Sequence, residues 1–518
     1  KSLEYFLLDK SIHFDAMKNL KDKHKRGRPD LIHITLLNII ATPLYKNDLV
    51  EIYVHTINNN ILRIHKNVRL PKSYSRFELL ISKLFREKII EHENKKLIEI
   101  LNTDLDGLVG KIKPDIIIGL STDAAIAEIK RLPYLNYKQR EKIIKNFQGV
   151  TKIIPQKEWD DSNNIRKIRP DFVVHGDDWK FGSDRVIRKN VIKALNEYGG
   201  KLIEIPYTKG VSSGAYVDSQ RAVSTTPEIR KSTLLRLINS KPIVRIIEAH
   251  SPLAAIIAEK TVLQKGMKKK SFDGFWSSSL TYSTLMGKPD TESLEISQRL
   301  SYVNDIFEVT TKPLIFDADT GGQVDHFPMK IKSMDRLGIS AVVIEDKTGL
   351  KKNSLLKDTS QQVQEDKNKF AKKITAGKKA KISEDFMIIA RIESLILGKG
   401  VKDAIERAKK YVEAGADAIM IHSKSNTPKE IFEFSKKFRK NFKNIPLVSV
   451  PTSYNKVSED ELSKNGFNIV IYANQLLRAA YPAMQIAANK ILKYGRSKEI
   501  DKQLISIEKI LELIPGTR

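Results

Sequence analysis

Seven short apolar runs recur through the last half of this chain, at residues 243–248, 313–316, 341–344, 386–391, 418–421, 446–450 and 468–472. Helical patterns separate the later ones, at 401–414 and 428–438. Nearly every run ends in polar residues: Glu248 and His250, Asp317 and Asp319, Glu345, Arg391 and Glu393, His422 and Ser423. A buried core has no need of that repetition. Alternating strands and helices over about 250 residues, with chemistry at the strand ends, describe an α/β fold built around a (β/α)8 barrel whose working face is its C-terminal mouth. The densest stretch is Phe316-Asp317-Ala318-Asp319-Thr320-Gly321-Gly322 followed by Glu345-Asp346-Lys347 and Asn353-Ser354. Two strands ending in carboxylates suit a hard cation that keeps part of its water, so Mg2+ held by Asp317, Asp319 and Glu345 is the expected metal site.

At 518 residues the chain has room for two to four domains. Four segments follow from the pattern: 1–115, 116–225, 226–500 and a tail at 501–518. There are no cysteines, which excludes disulfides, thiolate metal sites and a cysteine nucleophile. That usage is compatible with a reducing cytoplasm. No apolar run reaches membrane-spanning length, and the first residues lack the apolar core of a secretory signal, so no membrane partner is expected. A net charge of +28 fits attraction to RNA or phosphates, and equally a lysine-rich composition without function. The basic run at 367–381 is read as a solvated face. Residues after about 495 read as a terminal helix ending at Pro515-Gly516.

The first segment holds a helical pattern through Ala16, Met17 and Leu20, an apolar helix over 31–40 and a strand over 49–55. Two basic turns flank them, Arg26-Gly27-Arg28-Pro29-Asp30 and Arg69-Leu70-Pro71-Lys72-Ser73-Tyr74-Ser75-Arg76-Phe77. Arginine forks beside an aromatic ring suit RNA phosphates and loops. With His13, His33 and Tyr53-Val54-His55-Thr56, this wording over about residues 3–119 resembles the Nep1/Emg1 family. Those are ribosomal RNA pseudouridine-N1-methyltransferases of SPOUT fold. The resemblance implies a partial SPOUT-like α/β segment with Arg26, Arg28, Asp30, Arg69 and Arg76 on its RNA-facing side. The family's S-adenosylmethionine loops have no counterpart after Leu120, so rRNA binding rather than methyl transfer is expected.

In the middle segment, short strands and helices alternate with polar loops, the pattern of a doubly wound sheet. The loops carry Lys130-Arg131-Leu132-Pro133-Tyr134, Arg140, His175-Gly176-Asp177-Asp178-Trp179 and Tyr207-Thr208-Lys209-Gly210-Val211-Ser212-Ser213. Singly these are ordinary loop chemistry. Together they resemble the cytidylyltransferase-like nucleotidyltransferase domain, which implies CTP as a nucleotide and Lys130, Arg140, Asp177, Trp179, Ser212 and Ser213 as its contacts. That family's His-x-Gly-His is missing here, so the domain reads as incomplete.

The last segment resembles phosphoenolpyruvate mutase, of the isocitrate lyase superfamily. The resemblance rests on Glu248-Ala249-His250, Trp276-Ser277-Ser278-Ser279-Leu280, Asp317 to Gly322, Glu345-Asp346-Lys347 with Asn353-Ser354, Ala390-Arg391-Ile392-Glu393 and Met420-Ile421-His422-Ser423. It implies an isomerase that interconverts phosphoenolpyruvate and phosphonopyruvate, the first step of phosphonate biosynthesis. Mg2+ would sit on Asp317, Asp319 and Glu345, with Asp290 nearby. Trp276, Ser278, Ser279 and Leu280 would bind the pyruvyl side, and Arg391 and His422 the phosphoryl oxygens. Lys351 and Asn353 would lie on a loop that closes over the site. A homo-oligomer, dimer or tetramer, is implied as well. The alternatives are an rRNA-binding ribosome-assembly protein and, within the same fold, a phosphonopyruvate hydrolase or carbon–carbon lyase.

Overall fold

The computed structural model describes residues 7–66, 68–112, 115–206, 226–265, 268–349, 351–356 and 361–514. The chain divides into two compact units, Lys1–Ile116 and Ile117–Arg518.

The first unit is a four-stranded antiparallel sheet in the order β1-β2-β4-β3, with β1 Ile52–His55, β2 Ile61–Ile64, β3 Ile89–His92 and β4 Lys95–Leu101. The β3–β4 link has Glu93 and Asn94 both at positive φ, 51° and 61°. That is the two-residue turn whose twist matches its strands, and asparagine tolerates it well. Helices α1 (Pro29–Ile40) and α2 (Tyr74–Glu87) supply Leu36, Phe77, Ile81 and Leu84 to one core with Leu62 and Ile98. The strand expected over 49–55 is trimmed to Ile52–His55, and the first helical pattern closes as the single turn Phe14–Met17.

In the second unit, residues 117–206 alternate strand and helix as expected. Their strands pair as two separate two-stranded sheets among the described residues, rather than as one wound sheet. β5 (Ile116–Ser121) joins β6 (Val150–Gln156), and β7 (Phe172–Gly176) runs parallel to β8 (Lys201–Ile205). Helix α3 (Arg185–Asn196) packs Ile187, Val191 and Leu195 with Val173 and Leu202. Phe172, Val174 and Ile205 stay exposed. A doubly wound sheet needs helices on both faces, and α3 covers one face of the β7–β8 pair.

The barrel is closed and parallel, from β9 to β16: Val244–Glu248, Gly274–Ser277, Leu314–Asp317, Ala341–Glu345, Met387–Ile392, Ala418–Ile421, Leu447–Ser449 and Ile469–Tyr472. The strand missing from the sequence reading is β10. Its apolar run is only Phe275-Trp276, between Gly274 and three serines, so no apolar run marked it. Helix α4 (Pro227–Ser240) sends Leu234, Leu237 and Ile238 into the interior cluster. α5 (Lys367–Ala380) keeps Lys369, Lys372 and Lys379 on the solvated face expected of 367–381, with one exception. Lys373 is buried on it, with Nζ donating to the Thr320 carbonyl at 2.8 Å and to Glu365 at 3.2 Å. α6 (Gly400–Glu413) buries Ala404, Ala408 and Tyr411, one face of a 3.6-residue period. The terminal helix expected after about 495 is the seven-residue helix Ile507–Leu513, and a longer helix that the sequence reading did not single out, α7 (Gln475–Tyr494), precedes it.

Side-chain alternation decides which residues meet inside the barrel. Val244 and Ile246, Ile315, Ala341 and Val343, Met387 and Ile389, Ala418 and Met420 form the inner cluster, and the intervening residues face the helices. Counting on by two from each inner residue reaches Glu248, Asp317, Glu345, Arg391 and His422. One parity, continued to the strand ends, brings these side chains to the mouth.

Candidate active site

Asp317 closes β11, and its Oδ2 accepts from the Ser279 hydroxyl at 3.1 Å and the Ser279 N–H at 3.4 Å. The chain then turns through Asp319 at φ 55°, Gly321 at 76° and Gly322 at 74°. A Cβ on Gly321 would lie 3.0 Å from Ile344 and 3.1 Å from Phe327, so glycine is required there by both conformation and space. The turn aims Asp319 back at the mouth, where Oδ2 takes a 3.1 Å hydrogen bond from the buried Arg299. Lys351 reaches in from the loop after β12. Its Nζ donates to Asp319, to Ser279 Oγ at 2.7 Å and to Asp290 at 3.0 Å. Asn353 holds the other Asp290 oxygen at 3.0 Å.

Glu345 ends β12 fully buried. Both carboxylate oxygens accept no hydrogen bond, although Lys347 lies 3.3 Å and Arg391 3.2 Å away. Arg391 donates Nε to Glu393 at 2.6 Å, and Nη2 to Ser354 Oγ at 2.7 Å and His422 Nδ1 at 3.0 Å. Burial, and then the Arg391 charge, lower the His422 pKa, so the ring is neutral near pH 7. Arginine can only donate, so Nδ1 accepts and the ring proton sits on Nε2. That Nε2 is buried without a partner, as is Trp276 Nε1 on β10. Two N–H donors are thus desolvated at the mouth and unspent, which costs free energy that a ligand oxygen would recover.

Burial pushes the Glu345 and Asp319 carboxyls up, whereas Asp317 is held down despite burial by Lys351, Arg391 and Arg299. Carboxylates that resist ionisation, together with two orphaned oxygens, fit a cation. Among the described residues no three His, Asp or Glu side chains come close enough to hold a metal directly. Ser278 spends its hydroxyl on the Thr281 N–H at 3.4 Å, capping the helix Ser279–Leu285, and Leu280 follows half-buried.

Sequence reasoning passed over Arg299 and Lys347. Arg299 sits in the first turn of the helix Ile296–Val309, where nothing in the sequence marks it as reaching a strand end. Lys347, inside the Glu345-Asp346-Lys347 motif, bridges Glu345, Glu393 and Ser354.

The remaining candidates fall elsewhere. In the first unit, Arg28 grips Asp30 with two hydrogen bonds of 2.9 and 2.8 Å, and Arg26 bonds the Lys21 carbonyl and Asn58. Gly27 between them is at φ 77°, and a Cβ there would strike Met17 at 2.8 Å. Arg69 and Arg76 are exposed. In the second unit, Lys130 lies over the Trp159 ring at 4.9 Å, and Arg140 pairs with Asp123 at 2.7 Å. Trp179 is buried, stacked on His175, with its indole N–H on Glu204 at 2.8 Å. Asp177 lies beside it, half-buried. Ser212 and Ser213 lie outside the described residues.

Residues 234–492 match the family described as phosphoenolpyruvate phosphomutase, half of the chain. The chain belongs to that family. The mutase of Tetrahymena pyriformis is 35% identical over 286 residues, 55% of this chain and 91% of that one. Phosphonopyruvate hydrolase of Variovorax sp. (strain Pal2) is 36% identical over 288 residues, 55% and 94% of the two chains. The solved phosphoenolpyruvate phosphomutase of Streptomyces platensis subsp. rosaceus has a TM-score of 0.50 at 35% identity, over 54% of this chain and 93% of that one. The chain is an enzyme of the phosphoenolpyruvate mutase and isocitrate lyase superfamily, whose matched members include mutases, a hydrolase and a lyase.

Residues 1–197 match the EMG1/NEP1 methyltransferase family, a range that continues through most of the segment likened to cytidylyltransferases. The ribosomal RNA small subunit methyltransferase Nep1 of Thermococcus sibiricus is 40% identical over 115 residues, 22% of this chain and 52% of that one. The chain thus spans about half of that relative.

Proposed function

We propose that the barrel is a Mg2+-dependent phosphoenolpyruvate mutase, interconverting phosphoenolpyruvate and phosphonopyruvate for phosphonate synthesis. The observation that carries this is the meeting of Arg391 and the unpaired N–H donors of His422 and Trp276 with the strand-end carboxylates, Arg391 lying 3.2 Å from Glu345. In the reaction the carbon–phosphorus bond of phosphonopyruvate breaks and an oxygen–phosphorus bond forms on the enolate oxygen, through a loose, metaphosphate-like transition state. Charge stabilisation and positioning then supply the catalysis. Mg2+ on Asp317, Asp319 and Glu345 would neutralise the pyruvyl oxygens. Arg391 offers a cationic donor to the phosphoryl oxygens, and His422 Nε2–H a neutral one. Ser279 keeps Asp317 in place. Lys351 and Asn353, tied to Asp290, hold the covering loop down and exclude the water that would capture the phosphoryl group.

Purified protein with Mg2+ is expected to convert phosphonopyruvate to phosphoenolpyruvate, followed by phosphorus NMR, and Asp317→Ala to lower turnover by about 100-fold or more. No turnover, or turnover indifferent to Asp317→Ala, refutes the reading. Pyruvate and phosphate as the sole products assign the hydrolase reaction instead, the activity named for the Variovorax relative.

A second reading concerns the first unit. Its exposed Arg69 and Arg76, on a segment 40% identical to an rRNA methyltransferase, support binding of a ribosomal RNA hairpin without methyl transfer. A homo-oligomer through the terminal helix is proposed for the barrel as well. Many large apolar residues on and beyond α7 are exposed, Met484 and Leu492 among them.

A further inference from the structure

The loop carrying Lys351, Asn353 and Ser354 leaves and re-enters the barrel through a two-residue antiparallel pair, Lys347–Thr348 with Val363–Gln364. Asp346 stands at that root, next to Glu345 and of opposite parity, so its side chain points away from the mouth into the layer under α6. It is completely buried. Oδ1 accepts the Glu393 N–H at 2.9 Å. Oδ2 accepts Gln364 Nε2 at 2.9 Å, the Tyr411 hydroxyl at 2.8 Å and Arg407 Nη1 at 3.2 Å. Its backbone N–H donates to the Arg391 carbonyl at 3.1 Å, and its carbonyl accepts the Glu365 N–H at 2.9 Å. Arg407 Nη1 also donates to the Glu365 carbonyl at 2.9 Å. One residue therefore ties together the strand end that bears Glu345, the strand end that bears Arg391 and Glu393, the returning strand of the loop, and α6.

We propose that Asp346 is a positioning residue for the barrel's reaction, acting through Gln364, Tyr411 and Arg407 to hold the covering loop in register with Arg391. Asp346 touches no reacting atom. Its effect reaches the mouth through Ser354, whose hydroxyl accepts from Arg391 at 2.7 Å and Lys347 at 2.8 Å and donates to Glu393 at 2.5 Å. Those three contacts survive only if the loop root and the β13 end keep their spacing. A buried carboxylate with every near donor satisfied is stiff, because moving any one partner leaves a desolvated charge or donor unpaired. Asparagine at 346 would face amide hydrogens toward guanidinium and amide donors. Loosening the root would leave the chemistry groups in place and let water reach the phosphoryl group.

The inference rests on the mutase reading, and the test separates the two. Gln364→Leu removes the loop-side partner, Tyr411→Phe removes one hydrogen bond at constant shape, and Arg245→Met breaks an ion pair with Glu459 remote from the loop and serves as control. Phosphorus NMR gives the share of phosphonopyruvate diverted to inorganic phosphate, and trypsin gives the rate of cleavage after Lys351 and Lys352. Gln364→Leu is expected to raise the phosphate share by roughly tenfold and to speed cleavage severalfold, with Tyr411→Phe between it and wild type. A shift in either readout beyond that of Arg245→Met supports the role. If Gln364→Leu and Tyr411→Phe lose thermal stability yet match the control in both readouts, the role is purely structural and the inference is overturned. A wild type that makes no phosphoenolpyruvate refutes the mutase reading, and the trypsin rates still decide the anchor.

Discussion

His422 depends on its neighbours for its chemistry. Arg391 fixes its tautomer, and burial with the Arg391 charge lowers its pKa from 6.5. The unfolded chain therefore takes up a proton at higher pH than the folded one. The stability this group confers is complete above about pH 6.5 and is lost as pH falls toward its depressed folded value, each unit of depression being worth about 1.4 kcal/mol. The thermal midpoint should drop between pH 7 and pH 5, and His422→Asn should flatten that slope. An unchanged slope would show that His422 does not carry the titration. At the same scale, Trp179 and Lys373 show what residue type alone conceals. The indole is spent on Glu204, and a lysine in a basic run is buried against a carbonyl and a carboxylate.

Among the elements, α7 takes its N-terminal cap from a strand far away in sequence. Glu248, at the end of β9, turns Oε2 onto the N–H groups of Leu476 and Leu477 at 3.1 and 3.3 Å, while Oε1 meets His250. A carboxylate at a helix N-terminus satisfies orphan donors and complements the helix dipole. The helix buries no residue of its own within the chain, so this cap weighs heavily. Glu248→Ala should destabilise the helix start by about 1–2 kcal/mol. Amide exchange at Leu476 and Leu477 should accelerate while the Ile389 and Val343 amides stay protected. Equal acceleration in both sets would mean that Glu248 supports the barrel rather than the helix.

At the scale of the molecule, the two units have separate cores, one around Phe77 and Leu84, the other around the barrel. Distinct cores allow distinct partners. The full chain should bind a small-subunit ribosomal RNA hairpin with affinity that falls steeply with salt. Arg69→Ala and Arg76→Ala should each weaken binding by about 1 kcal/mol or more and reduce the salt slope by about one, with mutase turnover unaffected. Binding unchanged by both substitutions would remove that surface from consideration, and methylation in the presence of S-adenosylmethionine would contradict the view that the cofactor half is missing.

The sequence by itself determined the barrel and most of its mouth, because strand parity is local: a run such as 341–344 places Glu345 at its end whatever else the chain does. It also placed seven of the eight strands, and β10 escaped because only Phe275 and Trp276 stand between Gly274 and three serines. Tertiary structure alone decided the rest. Arg299, Lys347 and Asp346 act across elements far apart in sequence, and no local pattern distinguishes an arginine that reaches Asp319 from one that faces water. Separation of the β5–β6 and β7–β8 pairs was likewise illegible, since alternation of strand and helix does not say which strands will meet. The carboxylates Asp317, Asp319 and Glu345 suggested no more than a cation at a barrel mouth, and the burial and hydrogen bonds around them came only with the fold.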